Sequence, residues 1–181
     1  RSKDGYFCSC QIIDSKKGFL GNYRKLHIPS GRNIYETYYF KKGNLGHKTF
    51  ATRKANISIM LCYDRHFPES ARIYGLKNTD ILFVSAATPD HAKNIWSVEL
   101  QAHAYLNGYW VVCSNRSGKE DKISFLGSSL VCNYRGEIDK KAGEASDEIL
   151  KAYLNIEESR RARKELTFYN DRRPKIYQEI I

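Results

Sequence analysis

No run of apolar residues in this 181-residue chain approaches the roughly 20 that a membrane-crossing helix requires, so no membrane partner is expected. No C-x-x-C pair occurs among the five cysteines at 8, 10, 62, 113 and 132, which leaves a zinc site unsupported; neither a metal nor another cofactor is expected. The odd count, without a short-loop framework, argues against a secreted disulfide scaffold. Cys8 and Cys10 lie two apart on a strand-like segment, so they share a face and cannot easily bridge each other. Repeats, low-complexity tracts and Pro/Ser/Gly-rich linkers are missing too. The length then fits one domain over residues 1–181 with a proper core. Arg1–Gly5 has no signal-peptide character and leads straight into a strand-like stretch, so a cytoplasmic protein is expected.

What is present is ordinary in its totals: 41% apolar and 28% charged residues. The charge is not. Thirty Lys and Arg against 20 Asp and Glu give +10, a balance that invites a nucleic-acid partner. Yet the basic residues are spread along the chain. Their densest cluster, Arg160-Arg161-Ala162-Arg163-Lys164, reads as a solvated helix face, so no nucleic acid is expected. A small acidic substrate suits a basic protein equally well.

Along the chain, Phe7–Ile13 reads as a strand, with a second short one near Phe19–Leu20 after the turn at Asp14–Gly18. Tyr23–Glu36 reads as a loop, and Asn44–Gly46 as another turn. The middle is clearer. Ile57–Cys62 is an apolar run of strand length; Pro68–Lys77 is a helix, with Pro68 suited to its first turn; Ile81–Ser85 is a second buried strand. Ala92–Asn107 is a longer helix with Trp96, Leu100, His103 and Asn107 along one side, and Tyr109–Ser114 is a third strand. Strands alternating with helices imply parallel pairing, and ligands collect beyond the carboxyl ends of such strands, where Cys62 falls. Phe125–Asn133 reads as a further strand before a turn at Tyr134–Gly136, Glu148–Ile156 as an alternating strand, and Glu157–Leu166 as an exposed helix. The tail, Thr167–Ile181, has little periodicity and is expected on a partner subunit.

A cysteine ending an apolar strand is commonly a core residue. Here it runs into Tyr63-Asp64-Arg65-His66-Phe67-Pro68-Glu69, a charge density that fits a cleft wall. A thiol with a free pKa of about 8.5 needs a nearby cation or helix start to act as a nucleophile, and Lys25, Arg65 and the helix opened by Pro68 are available.

The stretch from Ile57 to Pro89, ISIMLCYDRHFPESARIYGLKNTDILFVSAATP, resembles the nucleophile strand and following helix of the nitrilase superfamily of carbon–nitrogen hydrolases. GNYRKLHIPS resembles that family's lysine loop, and NGYWVVCSNRSG and FYNDRRPKIY match further segments. The resemblance implies an α/β fold, an α-β-β-α sandwich truncated at the N-terminus, forming a homodimer or larger homo-oligomer. It implies a Glu-Lys-Cys triad in which Cys62 is the nucleophile and Lys25 the lysine, with Glu36 matching a second glutamate beside the lysine. The general-base glutamate belongs to the family's upstream part, so residues 1–181 alone are expected to be inactive, and a non-catalytic fragment or pseudoenzyme is the competing reading. His27 is expected to fix the loop, and His66 to pack or line the pocket.

The chemistry implied is attack of the Cys62 thiolate on a carbonyl or ureido carbon. The Lys25 ammonium and the backbone N–H of Tyr63 hold the oxyanion, and water then hydrolyses a thioacyl intermediate. Arg65, three positions after the nucleophile, resembles the arginine by which N-carbamoyl amino acid hydrolases grip a substrate carboxylate, a task suited to the planar guanidinium fork. Against that stands a purely structural pairing of Arg65 with Asp64 or Glu69. Asn44-Leu45-Gly46-His47 and Glu36-Thr37-Tyr38-Tyr39 look most like β-ureidopropionases, so the expected substrate is a small molecule bearing a carboxylate, such as N-carbamoyl-β-alanine. N-carbamoylputrescine and other aliphatic amides are the alternatives.

Overall fold

Three apolar segments separated by helix-forming stretches build the centre of the molecule. The structure, a computed structural model, describes residues 5–31, 34–144 and 147–180. Residues 1–4 of the opening, 32 and 33 of the loop read over Tyr23–Glu36, and Ile181 of the tail lie outside the described residues. The chain starts with an antiparallel hairpin, β1 (Ser9–Asp14) and β2 (Gly18–Arg24). The carboxylate of Asp14 ties its turn by accepting from the amides of Lys16 and Lys17. A short helix α1 (Glu36–Tyr39) precedes β3 (Thr49–Ala51) and β4 (Asn56–Leu61). A 3₁₀ turn over Cys62–His66 then leads into helix α2 (Pro68–Leu76), β5 (Ile81–Ala86), helix α3 (Lys93–Asn107) and β6 (Trp110–Asn115). The rest comprises β7 (Ser117–Glu120), β8 (Ile123–Leu126), β9 (Leu130–Cys132), β10 (Ile138–Lys141), α4 (Ile156–Glu165) and α5 (Thr167–Asn170).

The main sheet runs β10-β9-β6-β5-β4-β3. Its three central strands are parallel, with Leu61 beside Ser85 and Ser85 beside Ser114, so their carboxyl ends finish along one edge. One face is covered by α2 and α3: Ala71, Tyr74, Trp96, Leu100 and Ala104 share a core with Met60, Leu82, Val84 and Val111. Trp96, Leu100, His103 and Asn107 are all buried, as helical spacing requires of one face. Pro68 occupies the first turn of α2, where its missing N–H has no cost, and Gly108 ends α3 in the left-handed region at φ 62°. On the opposite face, Ile12 and Tyr23 of the β1–β2 hairpin join Ile59, while Ala152, Leu154 and Ile156 pack on Trp110 and Val131.

Four expectations change. The strand near Phe19–Leu20 continues to Arg24, because pairing with β1 extends through Arg24 opposite Ser9; the loop read from Tyr23 therefore starts two residues later. The strand read over Phe125–Asn133 is two strands, broken by Gly127 and Ser128 at φ 63° and 52°. A Cβ on Gly127 would sit 2.5 Å from the carbonyl oxygen of Glu144, so the chain bends where another backbone passes, sending β8 to pair with β7 and β9 to the main sheet. The alternation over Glu148–Ile156 is real in burial, but residues 147–155 pair with no strand among those described: side-chain period alone does not supply a hydrogen-bonding neighbour. Finally, the basic cluster is only half solvated.

Arg161 and Lys164 are exposed, but Arg160 and Arg163 reach 80 and 83 residues back to Asp80, which is fully buried. Arg160 donates from Nε to Oδ1 at 2.9 Å and from Nη2 to Oδ2 at 2.6 Å, and Arg163 donates to Oδ1 and to the Thr79 carbonyl. The amide of Asn56 adds a bond at 2.8 Å. Burial disfavours the charged carboxylate, yet these donors outweigh it and hold the Asp80 pKa below its ordinary 3.8. The pair anchors α4 to the amino ends of β4 and β5. Asp80→Asn should cost about 2–3 kcal/mol, less than for a sealed pair because Arg160 is 37% exposed, and should lower the thermal midpoint by several degrees. Because the folded pKa is depressed, the stability from ionised Asp80 is complete above pH ~4 and is lost as pH falls through the lowered value. A melting curve unchanged by the substitution at pH 7 would contradict this anchor.

Candidate active site

β4 ends at Leu61 and the chain turns at once, with Cys62 at φ 46°, a conformation that costs a non-glycine residue about 1 kcal/mol or more. Cys62 is thus one residue past the strand tip, the first of the 3₁₀ turn. The turn is held from below by Asp64, which is wholly buried. Its carboxylate accepts four hydrogen bonds: Oδ2 from the Leu61 amide at 3.1 Å and the Tyr23 hydroxyl at 2.6 Å, Oδ1 from the His27 amide and Nδ1, both at 2.9 Å. Burial and the neighbouring Tyr74 and Asp64 push the Tyr23 phenol far above its ordinary range, so it stays a donor. Tyr23 and His27 flank Lys25. One carboxylate therefore fastens the lysine segment to the Cys62 turn, and His27 takes the loop-fixing place expected of it, its ring stacked 3.5 Å from that of Phe67.

Lys25 is only 2% exposed. Its amide donates to the Cys8 carbonyl at 2.9 Å and its own carbonyl accepts from the Gly43 amide at 2.7 Å. A Cβ on Gly43 would lie 2.3 Å from the Arg24 carbonyl oxygen and 2.7 Å from that of Lys25, so only glycine lets this segment brace the lysine backbone. The Lys25 ammonium donates to Glu36 Oε2 at 2.5 Å. Glu36, Cys62, Tyr63, Arg65 and His66 line one cavity of about 710 Å³. The same charges surround the Cys8 thiol: burial raises its pKa, Lys25 opposes that, and Glu36, Asp64 and Cys62 add to it.

Arg65 is 3% exposed and pairs with neither Asp64 nor Glu69. Its Nε donates to Glu99 Oε2 at 3.0 Å, its Nη1 to the Cys62 carbonyl at 3.0 Å, and its guanidinium carbon lies 5.1 Å from the Trp96 ring centre. His66 joins the same Glu99 through Nδ1 to Oε1 at 2.5 Å. Burial opposes ionisation of Glu99, but the hydrogen bond from His66 and the charges of His66 and Arg65 win and lower its pKa. Beneath them, buried His103 donates from Nε2 to the Arg65 carbonyl at 2.6 Å, its pKa lowered chiefly by burial.

The structure thus brings the five sequence-derived site residues to one place, with Cys62, Glu36, Tyr63 and Arg65 on the cavity wall and Lys25 bonded to Glu36. Asp64, Tyr23, Gly43 and Glu99 were not singled out from sequence. A signal existed for Glu99: it lies three residues after Trp96 and four before His103, a carboxylate on the buried side of α3. Gly43 left none, since its reason is a backbone from another segment.

Residues 1–164 match the family model described as carbon–nitrogen hydrolase. The chain is 35% identical to the citrullinase of Francisella tularensis subsp. tularensis, over 99% of this chain and 67% of that protein. It is 33% identical to the N-carbamoylputrescine amidase of Solanum lycopersicum, over 99% of this chain and 65% of that one. Among solved structures, a carbon–nitrogen hydrolase from Helicobacter pylori G27 superposes with a TM-score of 0.91 at 32% identity, covering 99% of this chain and 67% of the other. The chain spans about two thirds of the length of the curated relatives it matches. The fold is the mixed α/β fold of the nitrilase superfamily.

All five thiols are free, and their surroundings differ. Burial raises the pKa of Cys8 and Cys10, pushes Cys132 up to about 12 and takes Cys113 well above its ordinary value, while Cys62 borders the cavity. Iodoacetamide at pH 7.5 should therefore modify Cys62 first and leave Cys113 and Cys132 unlabelled in the folded protein. Peptide mapping by mass spectrometry reads this directly; equal labelling of Cys113 and Cys62 would mean the cavity assignment is wrong.

Proposed function

Because this chain belongs to the carbon–nitrogen hydrolase family, we propose that it cleaves non-peptide C–N bonds of linear amides with Cys62 as nucleophile, its physiological substrate being an N-carbamoyl amino acid such as N-carbamoyl-β-alanine. The observation that carries the reading is one cavity lined by a cysteine in a left-handed backbone conformation and by Glu36, which accepts from a buried lysine.

The steps follow from those residues. A carboxylate takes the Cys62 proton, a role that the family resemblance implies for a glutamate upstream of Lys25, while Glu36 holds the Lys25 ammonium. The Cys62 sulfur forms a bond to the ureido or amide carbon, and the C=O electron pair moves to oxygen. Lys25 and the Tyr63 N–H stabilise that oxyanion. Tyr63 stands in the first turn of the 3₁₀ segment, where amides lack partners within the helix. Collapse expels the amine, which carries off the proton, and water then opens the thioester or thiocarbamate, regenerating the thiol.

Arg65 on the cavity wall supports a carboxylate-bearing substrate: bonds from Nε to Glu99 and from Nη1 to the Cys62 carbonyl fix its guanidinium there. A second reading, an N-carbamoylated amine, has its own support. Glu99 offsets the Arg65 charge, and several relatives are named N-carbamoylputrescine amidases.

The complete protein should release ammonia from N-carbamoyl-β-alanine faster than from a plain amide or a nitrile. Cys62→Ala should abolish turnover, and Lys25→Ala should lower kcat by roughly 100-fold or more, the usual effect of removing an oxyanion donor. Arg65→Leu should raise KM selectively for the carboxylate-bearing substrate. Turnover that survives Cys62→Ala would remove the nucleophile, and equal losses on neutral amides would remove the role of Arg65.

A further inference from the structure

Glu99 stands behind the cavity wall and touches two basic residues that line it, Arg65 and His66. Its Oε2 accepts from Arg65 Nε at 3.0 Å and its Oε1 pairs with His66 Nδ1 at 2.5 Å, while its side chain is only 17% exposed. Neither the oxyanion chemistry nor the Lys25–Glu36 pair uses it. Arg65 is sequence-adjacent to His66, so both leave the nucleophile turn together and a single carboxylate on α3 receives both. Other titratable groups sit beside this cluster: buried His103 donates to the Arg65 carbonyl and adds a weaker pull on Glu99 than His66 and Arg65, the Cys62 thiol lies 3.9 Å from Arg65 Nη1, and the Tyr63 ring meets that of His66 edge-on. The guanidinium is further fixed against the Trp96 ring and the Cys62 carbonyl, and cannot swing away from its carboxylate without breaking those contacts.

From this geometry we infer that Glu99 is the residue that sets the charge preference of the cavity: by neutralising Arg65 and pinning His66 it holds a site that admits both anionic and cationic N-carbamoyl compounds. This rests on the hydrolase reading for its ligands, not for its physics. A carboxylate held within hydrogen-bond distance of a guanidinium weakens its attraction for a second carboxylate and its repulsion of an ammonium group. Removing the Glu99 charge must therefore move the affinities of oppositely charged ligands in opposite directions. A merely structural glutamate would, when replaced, move both the same way.

The test is binding to the complete protein carrying Cys62→Ala, so that no ligand is consumed, followed by isothermal titration calorimetry with N-carbamoyl-β-alanine and N-carbamoylputrescine. Adding Glu99→Gln should tighten the anionic ligand and weaken the cationic one, each about tenfold, and Glu99→Asp should return both toward the parent values. Adding Arg65→Leu instead leaves Glu99 with His66 alone and should do the reverse, tightening N-carbamoylputrescine about tenfold; this arm decides the matter if the glutamine variant does not fold. Parallel changes for the two ligands, or no binding of either to any variant, would overturn the inference. Absence of ammonia release by the unaltered protein, with opposite shifts still seen in binding, would count against the hydrolase reading alone.

Discussion

One buried carboxylate makes the site a site. Asp64 accepts from the strand end at Leu61 and from Tyr23 and His27 on either side of Lys25, so the Cys62 turn and the lysine segment are two parts of one hydrogen-bonded knot. The partners come from β2, the loop after it and the tip of β4, and losing the bonds from buried Tyr23 and the Leu61 amide would leave unpaired groups in the interior, at a cost of about 1–3 kcal/mol apiece. That collective cost is what can keep Cys62 in a left-handed conformation. The strain is local; the compensation is spread across the β2 strand, the loop after it and the tip of β4.

Two ion pairs then flank the cysteine, and they are built alike. Lys25 is buried and its partner Glu36 is 30% exposed; Arg65 is buried and its partner Glu99 is 17% exposed. In both, the cation is deep and the carboxylate lies nearer to solvent. A buried cation without a partner is costly, so the carboxylates are what let a lysine and an arginine lie this deep beside the cavity. The pairs differ in what they face. Glu36 borders the cavity itself, whereas Glu99 acts from behind Arg65 and His66.

The legible parts of the fold were those governed by one element's own period. The parallel strands at β4, β5 and β6, the buried side of α3, and Pro68 opening α2 all follow from spacing and propensity within about 15 residues. What escaped depended on a second segment arriving from elsewhere. Gly127 bends because the Glu144 backbone passes it, Arg160 and Arg163 turn inward because Asp80 waits 80 and 83 positions away, and residues 147–155 pair with no described strand because alternation cannot create a neighbour. The site divides in the same manner. Cys62, Lys25, Glu36 and Arg65 came from motif order, while Asp64, Gly43 and Glu99 are defined by contacts that no single motif contains.

Gly43 shows how far such contacts reach. Its amide bonds the Lys25 carbonyl while its bare Cα lets the backbone press within a distance that any side chain would forbid. The Cys8 carbonyl holds the Lys25 amide on the other side. The lysine is therefore clamped through its main chain by two neighbours, and its side chain has only to span the gap to Glu36. A long, flexible ammonium group is a poor electrostatic device when free, because positioning it consumes side-chain entropy at the moment of reaction. Fixing its backbone from both directions and its tip with one carboxylate removes most of that cost in advance. Preorganisation of this kind explains why a lysine, the most mobile of cations, can sit at the centre of a rigid site.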